Sequence, residues 1–397
     1  MTSTKTTNNS HALTDRLRYV EASPTLALAA KAKALAKAGK SVIDFTAGEP
    51  DLPTPEPVKQ AGIAAISQDR TRYTPVAGIP ELRSAIAGDL NKQRQTHYSA
   101  SQVLVSCGAK QALFNSFQAL CQAGDEVIVL SPYWVSYPPL VRLAGATPVI
   151  VETSKRDQFL ADVARIQAAC SPATKAIVLN SPNNPTGAVF DEERLVAIAQ
   201  LAHERNLIVI SDEIYDRLVY PPARHHSIVQ CSPALVDQTL IVSGVSKTYR
   251  MTGWRIGYVA GPQTWIEAME AIQSHSTSNP SSISQYAALA ALQGDQASIA
   301  QMVEMYQQRR DRLVKGLNAL AGCWAQVPDG AFYVWCDVSG LKQPAAAIAA
   351  QWLEDALVAT IPGEGFGAPH YIRFSFPVSL ETIDEGLRRL SQWVAHH

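Results

Sequence analysis

Three short apolar runs in the middle of the chain each end in polar groups that a buried strand does not need. AIVL runs into Asn180-Ser-Pro-Asn-Asn-Pro-Thr-Gly187, LIVI into Ser211-Asp212-Glu-Ile-Tyr215, and LIV into Ser243-Gly-Val-Ser-Lys247. Val- and Ile-rich runs of this kind read as buried strands of a parallel sheet. In such sheets ligands gather beyond the carboxyl ends of the strands. Taken singly, each cluster has an ordinary explanation: Asn-Pro-Thr-Gly suits a turn, an aspartate after a strand caps a helix, and a loop lysine is solvated. Taken together, they set an amine, a carboxylate, a phenol and an amide along one sheet edge.

That set suits a cofactor bearing an aldehyde, a pyridine nitrogen and a phenolic oxygen, which describes pyridoxal 5'-phosphate. Lys247 would supply the amine for the aldehyde. Asp212 would keep the pyridine nitrogen protonated, so that the ring can accept electrons from a carbanion. Asn184 and Tyr215 would hydrogen-bond the ring oxygen, and stabilising it as an anion helps to set the working pKa of the bound group.

The elements that must hold these groups follow from the pattern around them. Apolar runs at Glu126 to Leu130, Pro148 to Val151, Ala176 to Leu179, Leu207 to Ile210 and Thr239 to Val242 predict five strands. Between the third and fourth, Asp191 to Asn206 carries Leu195, Ile198, Leu201 and Ala202 at helical spacing. Alternating strand and helix predicts an α/β fold with a mostly parallel, doubly wound sheet. After Gln301 the pattern changes to a long charged helix through Leu320, a strand over Ala331 to Asp337, a helix over Ala345 to Leu357 and a strand over Tyr371 to Phe376. This is a smaller α+β unit. Ser23-Pro24, an Ala/Leu/Lys stretch to Ala38 and Gly39 place a cap, a first-turn proline and a terminating glycine in the order of one early helix, expected to pack with that unit. The expected division is an arm over 1–22, a small domain over 23–58 and 301–397, and a large cofactor-binding domain over 59–300.

Composition narrows the partners. The 397 residues carry 34 Lys+Arg against 35 Asp+Glu, which gives no global electrostatic reason to expect nucleic acid or an anionic membrane. No run approaches the ~20 apolar residues of a membrane span, and Met1 to Asp15 lacks the apolar core of a signal peptide. The six cysteines show no CxxC and no Cys/His cluster, so neither structural zinc nor a disulfide framework is indicated. A cytoplasmic protein with small-molecule substrates and no metal is the expectation. His225-His226 and the terminal histidines are expected at the surface, and Gly363-Glu-Gly-Phe-Gly367 as a mobile loop, since the strand-glycine-helix order of a nucleotide site is missing.

Further blocks carry a resemblance: TAGEPDLPTP from Thr46, YTPVAGIPELR from Tyr73, CGAKQALFN from Cys107, LSPYWVSYP from Leu130 and SKTYRMTGWRIGY from Ser246. With the strand-end motifs, and in this order from about Ser23 to Arg373, they resemble the class I aminotransferases of fold type I, in particular the bacterial aspartate/prephenate subgroup. The resemblance implies a seven-stranded large-domain sheet and ping-pong amino transfer between aspartate or glutamate and an oxo acid. It implies that Lys247 binds the cofactor covalently, that Arg255 holds its phosphate, and that Trp134 stacks on its ring. A guanidinium forks onto phosphate oxygens; the plainer roles are a surface ion pair for Arg255 and core filling for Trp134. Gly108, Ala109 and Lys110 open a helix whose free N–H groups suit a phosphate, or form a plain glycine turn.

By the same resemblance Arg373 grips the substrate α-carboxylate, Gly48 lines that pocket or simply turns the chain, and Lys110 meets the distal carboxylate. Tyr73 reaches the phosphate of a neighbouring subunit, which makes a homodimer with shared sites. Two positions depart from the family pattern. Gly244 stands where a phosphate-binding serine is common, leaving Ser243 or Ser246 as substitutes, and Arg250 stands where a small residue is usual. The rival readings are an aminotransferase for aromatic, prephenate or other substrates, a lyase or decarboxylase on the same fold, an aminotransferase-like binding module, and a nicotinamide dehydrogenase, the last disfavoured by the missing glycine fingerprint.

Overall fold

The computed structural model describes residues 24–397, with side chains from residue 30 onward. The expected Ser23 cap and the arm over 1–22 lie outside the described residues. The central sheet has seven strands: β1 (Val103–Ser106), β2 (Glu126–Ser131), β3 (Thr147–Glu152), β4 (Thr174–Asn180), β5 (Ile208–Asp212), β6 (Thr239–Gly244) and β7 (Gly257–Ala260). Their spatial order is β1-β7-β6-β5-β4-β2-β3. Six run parallel, and β7 is antiparallel to both of its neighbours. The five strands expected from apolar runs are β2 to β6. The flanking pair β1 and β7, four residues each, carry too short a pattern to stand out.

The pleat divides each strand between two faces. Ile177, Leu179, Val209 and Ile241 pack with Leu82, Ile86, Leu195 and Ile198 on one side. Val178, Ile210, Leu240 and Val242 pack with Leu113, Phe117, Val141 and Met269 on the other. Helices therefore cover both faces, which is why the central strands read as unbroken apolar runs and not as alternating ones.

A second core surrounds a four-stranded antiparallel sheet of Ile361–Pro362, Tyr371–Ser375, Tyr333–Asp337 and Trp324–Ala325. The helices Ala297–Asn318, Ala345–Asp355 and Leu380–His396 enclose it, with the fully buried Trp352 packed on Phe374 and Trp393. Ile43–Asp44 pairs in parallel with Val358–Ala359. The early helix, Pro24–Lys37, joins this unit as expected: Ala32 packs with Leu353 and Ala359, and Lys31 Nζ lies 2.7 Å from Glu354.

Two expectations are corrected. Residues Gly363–Phe366 form a short 3-10 turn with Gly363 and Phe366 buried, because Phe366 packs edge-on against Trp335. His225 does not stand free at the surface: its Nε2 lies 3.2 Å from the buried Glu213 carboxylate.

Strand β7 backs directly onto the turn that opens the helix Ala109–Leu120. A Cβ at Gly257 would lie 2.1 Å from Ala109 N and 2.3 Å from Gly108 C, both backbone atoms. Gly257→Ala is therefore expected to destabilise by about 1–3 kcal/mol or more. Gly88→Ala, on an exposed helical face with open space around it, should instead stabilise by roughly 0.5–1 kcal/mol. Thermal melts of the two variants should move in opposite directions; equal shifts would show that this backbone contact does not constrain the fold.

Candidate active site

The carboxyl ends of β4, β5 and β6 lie side by side and open onto a cavity of about 480 Å³. Gly48, Ala109, Lys110, Trp134, Asn184, Asp212, Tyr215, Lys247, Arg255 and Arg373 all line it. Residues from seven separate stretches of chain thus converge as the motifs imply. Gly108 lies just behind the wall, where a Cβ would come 2.4 Å from Arg255 Nη2. Tyr73 does not line this cavity and is 91% exposed.

Asp212 is 4% exposed. Its Oδ2 accepts from Tyr137 Oη at 2.7 Å and its Oδ1 from the Ile214 N–H at 3.2 Å. Burial pushes its pKa up to about 6 against the pull of those bonds. Among the described residues it has no ion-pair partner, so a buried carboxylate faces the cavity ready for a cation. Asn180 ties this strand end to its neighbour: its Nδ2 donates to Asp212 O at 3.0 Å, while its Oδ1 accepts from Asn184 N at 2.9 Å.

Asn184 in turn orients Arg373. The guanidinium donates to Asn184 Oδ1 at 3.0 Å and to Thr46 O at 3.1 Å. It lies 4.4 Å from the Tyr333 ring centroid and 5.2 Å from that of Phe366, and its Nε is buried without a partner. The residue lines the cavity, and a desolvated guanidinium there suits a carboxylate. Tyr333 also places its hydroxyl 2.9 Å from that of Tyr215.

Lys247 Nζ donates to Gly48 O at 2.5 Å. Burial lowers its pKa to about 8, with Arg373 and Arg255 adding to the effect and Glu49 opposing it. Arg255, in the left-handed region at φ 55°, donates to Thr252 O at 2.9 Å and lies 3.4 Å from Cys107 O. These carbonyls aim the guanidinium at the first turn of the helix Ala109–Leu120, whose amides lack partners within the helix. Lys110 Nζ stands 4.9 Å from the Trp134 ring centroid. Desolvation and then Arg255 lower its pKa, although much of the side chain stays exposed.

Both departures from the family pattern acquire a geometric account. A Cβ at Gly244 would lie 2.9 Å from Gly257 Cα and 3.0 Å from Ile256 O, so a serine there would have to push β7 away. Of the two substitutes, Ser246 lines the cavity, whereas Ser243 Oγ is turned to Glu213 O at 3.3 Å. Arg250 lies outside the wall and donates to Ser298 Oγ at 3.1 Å. Tyr137, Tyr333 and Thr46 were not singled out from sequence. Tyr137 and Thr46 sit inside recognisable blocks, but nothing in the order of residues says which way their side chains turn.

The donor set fits pyridoxal phosphate. Asp212 offers a dry anion to a pyridinium, Tyr215 and Asn184 offer hydrogen bonds to a ring oxygen, and Arg255 with the helix start offers a phosphate cradle that a side chain at Gly108 would fill. Among the described residues no cluster of three or more His, Cys, Asp or Glu side chains is arranged to hold a metal ion, and no helix is long and apolar enough to cross a membrane.

Comparison with known proteins gives a consistent picture. A family model described as "Aminotransferase class I and II" matches residues 40–390. The chain is 42% identical over 387 residues to an aspartate aminotransferase of Bacillus sp. (strain YM-2), covering 96% of this chain and 99% of that one. It is 46% identical over 383 residues to an aspartate/prephenate aminotransferase of Thermus thermophilus, covering 96% and 98%. The solved structure of a Thermus thermophilus aspartate aminotransferase with maleate superimposes with a TM-score of 0.93 at 44% identity, covering 96% and 99%.

The amine at the centre of the cavity yields a pH test. Only the unprotonated amine attacks an aldehyde, so lowering the Lys247 pKa to about 8 moves the rise in reactivity down by that much. Trapping of benzaldehyde on Lys247 by cyanoborohydride, followed by mass spectrometry, should increase with pH through a midpoint of about 8 and then level off. A rate still climbing at pH 10, as for an ordinary lysine, would contradict this environment.

Proposed function

The chain belongs to the class I and II aminotransferase family, and on that premise we propose a role for each group in the cleft. The reaction is pyridoxal-phosphate-dependent transamination of aspartate. When bound, the cofactor supplies an aldehyde to take up the amino group and a protonated ring to accept the electrons released at the substrate Cα. The large domain over 59–300 carries the cofactor, the units over 23–58 and 301–397 cover it, and the protein works in the cytoplasm.

Asp212 holds the pyridine proton, and its own carboxyl must be ionised to do so, which requires a pH above about 6 in the empty cleft. Tyr215 and Asn184 steady the ring oxygen, and Trp134 covers the ring face. Arg255, Ser246 and the amides of Ala109 and Lys110 hold the phosphate. Tyr73, too exposed to serve its own subunit, reaches the phosphate of a second copy, so the working unit is a homodimer with shared sites. Lys247 Nζ would hold the cofactor aldehyde between turnovers and, as a free amine, would carry the proton to and from the substrate Cα. The order would be ping-pong: the bound cofactor would keep the amino group, water would supply the carbonyl oxygen, and oxaloacetate would leave before 2-oxoglutarate enters.

The observation that carries the substrate assignment is that two cations, Arg373 and Lys110, line the same cavity. Arg373, buried with its Nε free, takes the α-carboxylate. Lys110, poised over Trp134, takes the distal one, which also offsets the cost of a cation in the first turn of a helix. Lys110→Ala should therefore raise KM for aspartate by about tenfold or more while changing KM for phenylalanine little, since only aspartate loses a charge partner. An equal loss for both donors would place Lys110 on the phosphate or in the fold, and remove it from substrate choice.

A further inference from the structure

Asp212 and Tyr215 lie on one tight turn, and the residue following each of them points the other way. Glu213 is 1% exposed and Asp216 nearly as buried. A single guanidinium grips both: Arg94 Nε donates to Glu213 Oε2 at 2.7 Å, and Arg94 Nη2 donates to Asp216 Oδ2 at 2.6 Å. Arg94 itself is 2% exposed, at the end of the helix Pro80–Arg94. The Glu213 carboxylate also accepts from Ser211 Oγ at 2.9 Å and Ser227 Oγ at 2.6 Å, and meets His225 Nε2 at 3.2 Å.

We infer that Arg94 is a positioning residue for the cofactor: by bridging Glu213 and Asp216 it fixes the turn that aims Asp212 and Tyr215 into the cleft. The inference rests on the cofactor roles given above to Asp212 and Tyr215. Its logic is geometric. The Asp216 N–H donates to Glu213 O at 3.0 Å, so the turn is one closed loop, and its two outward carboxylates are held at a spacing set by a rigid planar fork. The backbone that carries Asp212 and Tyr215 therefore cannot swing without pulling one of those carboxylates off Arg94.

A buried ion pair is a poor source of net stability, because desolvation offsets most of the attraction. Arg94 lies between two carboxylates, and although burial opposes its charge, Glu213 and Asp216 keep it firmly protonated. A core of equal volume made from apolar side chains would hold the sheet as well. What an apolar core could not do is fix the separation of residues 213 and 216. Ser211 adds a further tie, since its hydroxyl binds the same carboxylate from the strand side of Asp212.

The test compares the full-length dimer carrying Arg94→Lys, Asp216→Asn or Ser227→Ala with the unaltered protein. The readouts are the dissociation constant of pyridoxal phosphate and the pH midpoint of its bound absorbance band. Arg94→Lys keeps the charge but loses the fork, and should weaken cofactor binding about tenfold and shift the midpoint, as the ring oxygen and pyridine nitrogen lose aligned partners. Asp216→Asn should do the same more mildly. Ser227→Ala, which leaves the Arg94 bridge intact, should change both readouts least and keeps the comparison open if the arginine variant does not fold. A lowered melting temperature in Arg94→Lys and Asp216→Asn with unchanged affinity and midpoint would overturn the positioning role. Failure of the unaltered protein to bind pyridoxal phosphate would instead overturn the cofactor reading itself.

Discussion

A carboxylate kept dry at the end of a central strand is the constraint around which this protein is arranged. Asp212 would relax by turning to water or by taking a lysine partner, and the fold blocks both. Tyr137 and the Ile214 amide occupy its oxygens, and Lys247, the cation on the neighbouring strand end, is tied to Gly48 O. Holding charge apart in this way costs stability. It leaves a site whose unmet electrostatic demand matches the cofactor and substrate it must take up.

The same logic joins the two cores. Arg373 comes from the antiparallel sheet, yet its hydrogen bonds go to Asn184, in the turn that follows β4 of the large sheet, and to Thr46, just after the short strand Ile43–Asp44. Asn184 is held by Asn180, which also binds the backbone of Asp212. A line of polar contacts therefore runs from the group proposed for the α-carboxylate to the group proposed for the pyridine nitrogen. The groups proposed for substrate recognition and for cofactor activation are thus linked through one set of buried hydrogen bonds.

Much of this was legible in the residues. AIVL, LIVI and LIV announced the three adjacent strands because both faces of the sheet are covered, and the polar clusters behind them do converge on one cavity. Strands β1 and β7 were not legible, being short and, for β7, opened by a glycine whose meaning is spatial: Gly257 lets the strand touch the turn at Gly108. Gly244 is of the same kind, since only the approach of Gly257 shows why a serine has no room there. His225 was misread because a pair of loop histidines carries no sign of a buried partner such as Glu213, and Gly363–Phe366 because the burial of Phe366 depends on Trp335 from another strand. Residue types and order disclosed the chemistry; contacts between distant segments decided the supporting cast.

The most direct measurement is the absorbance of the cofactor-loaded protein mixed with aspartate alone. Two cations, Arg373 and Lys110, on the wall of the cavity that also holds Asp212 and Lys247 predict that the cofactor band shifts with aspartate and returns when 2-oxoglutarate is added, with alanine and phenylalanine far less effective. No shift with aspartate, or a shift that an oxo acid cannot reverse because carbon dioxide or ammonia has been lost, would contradict the account.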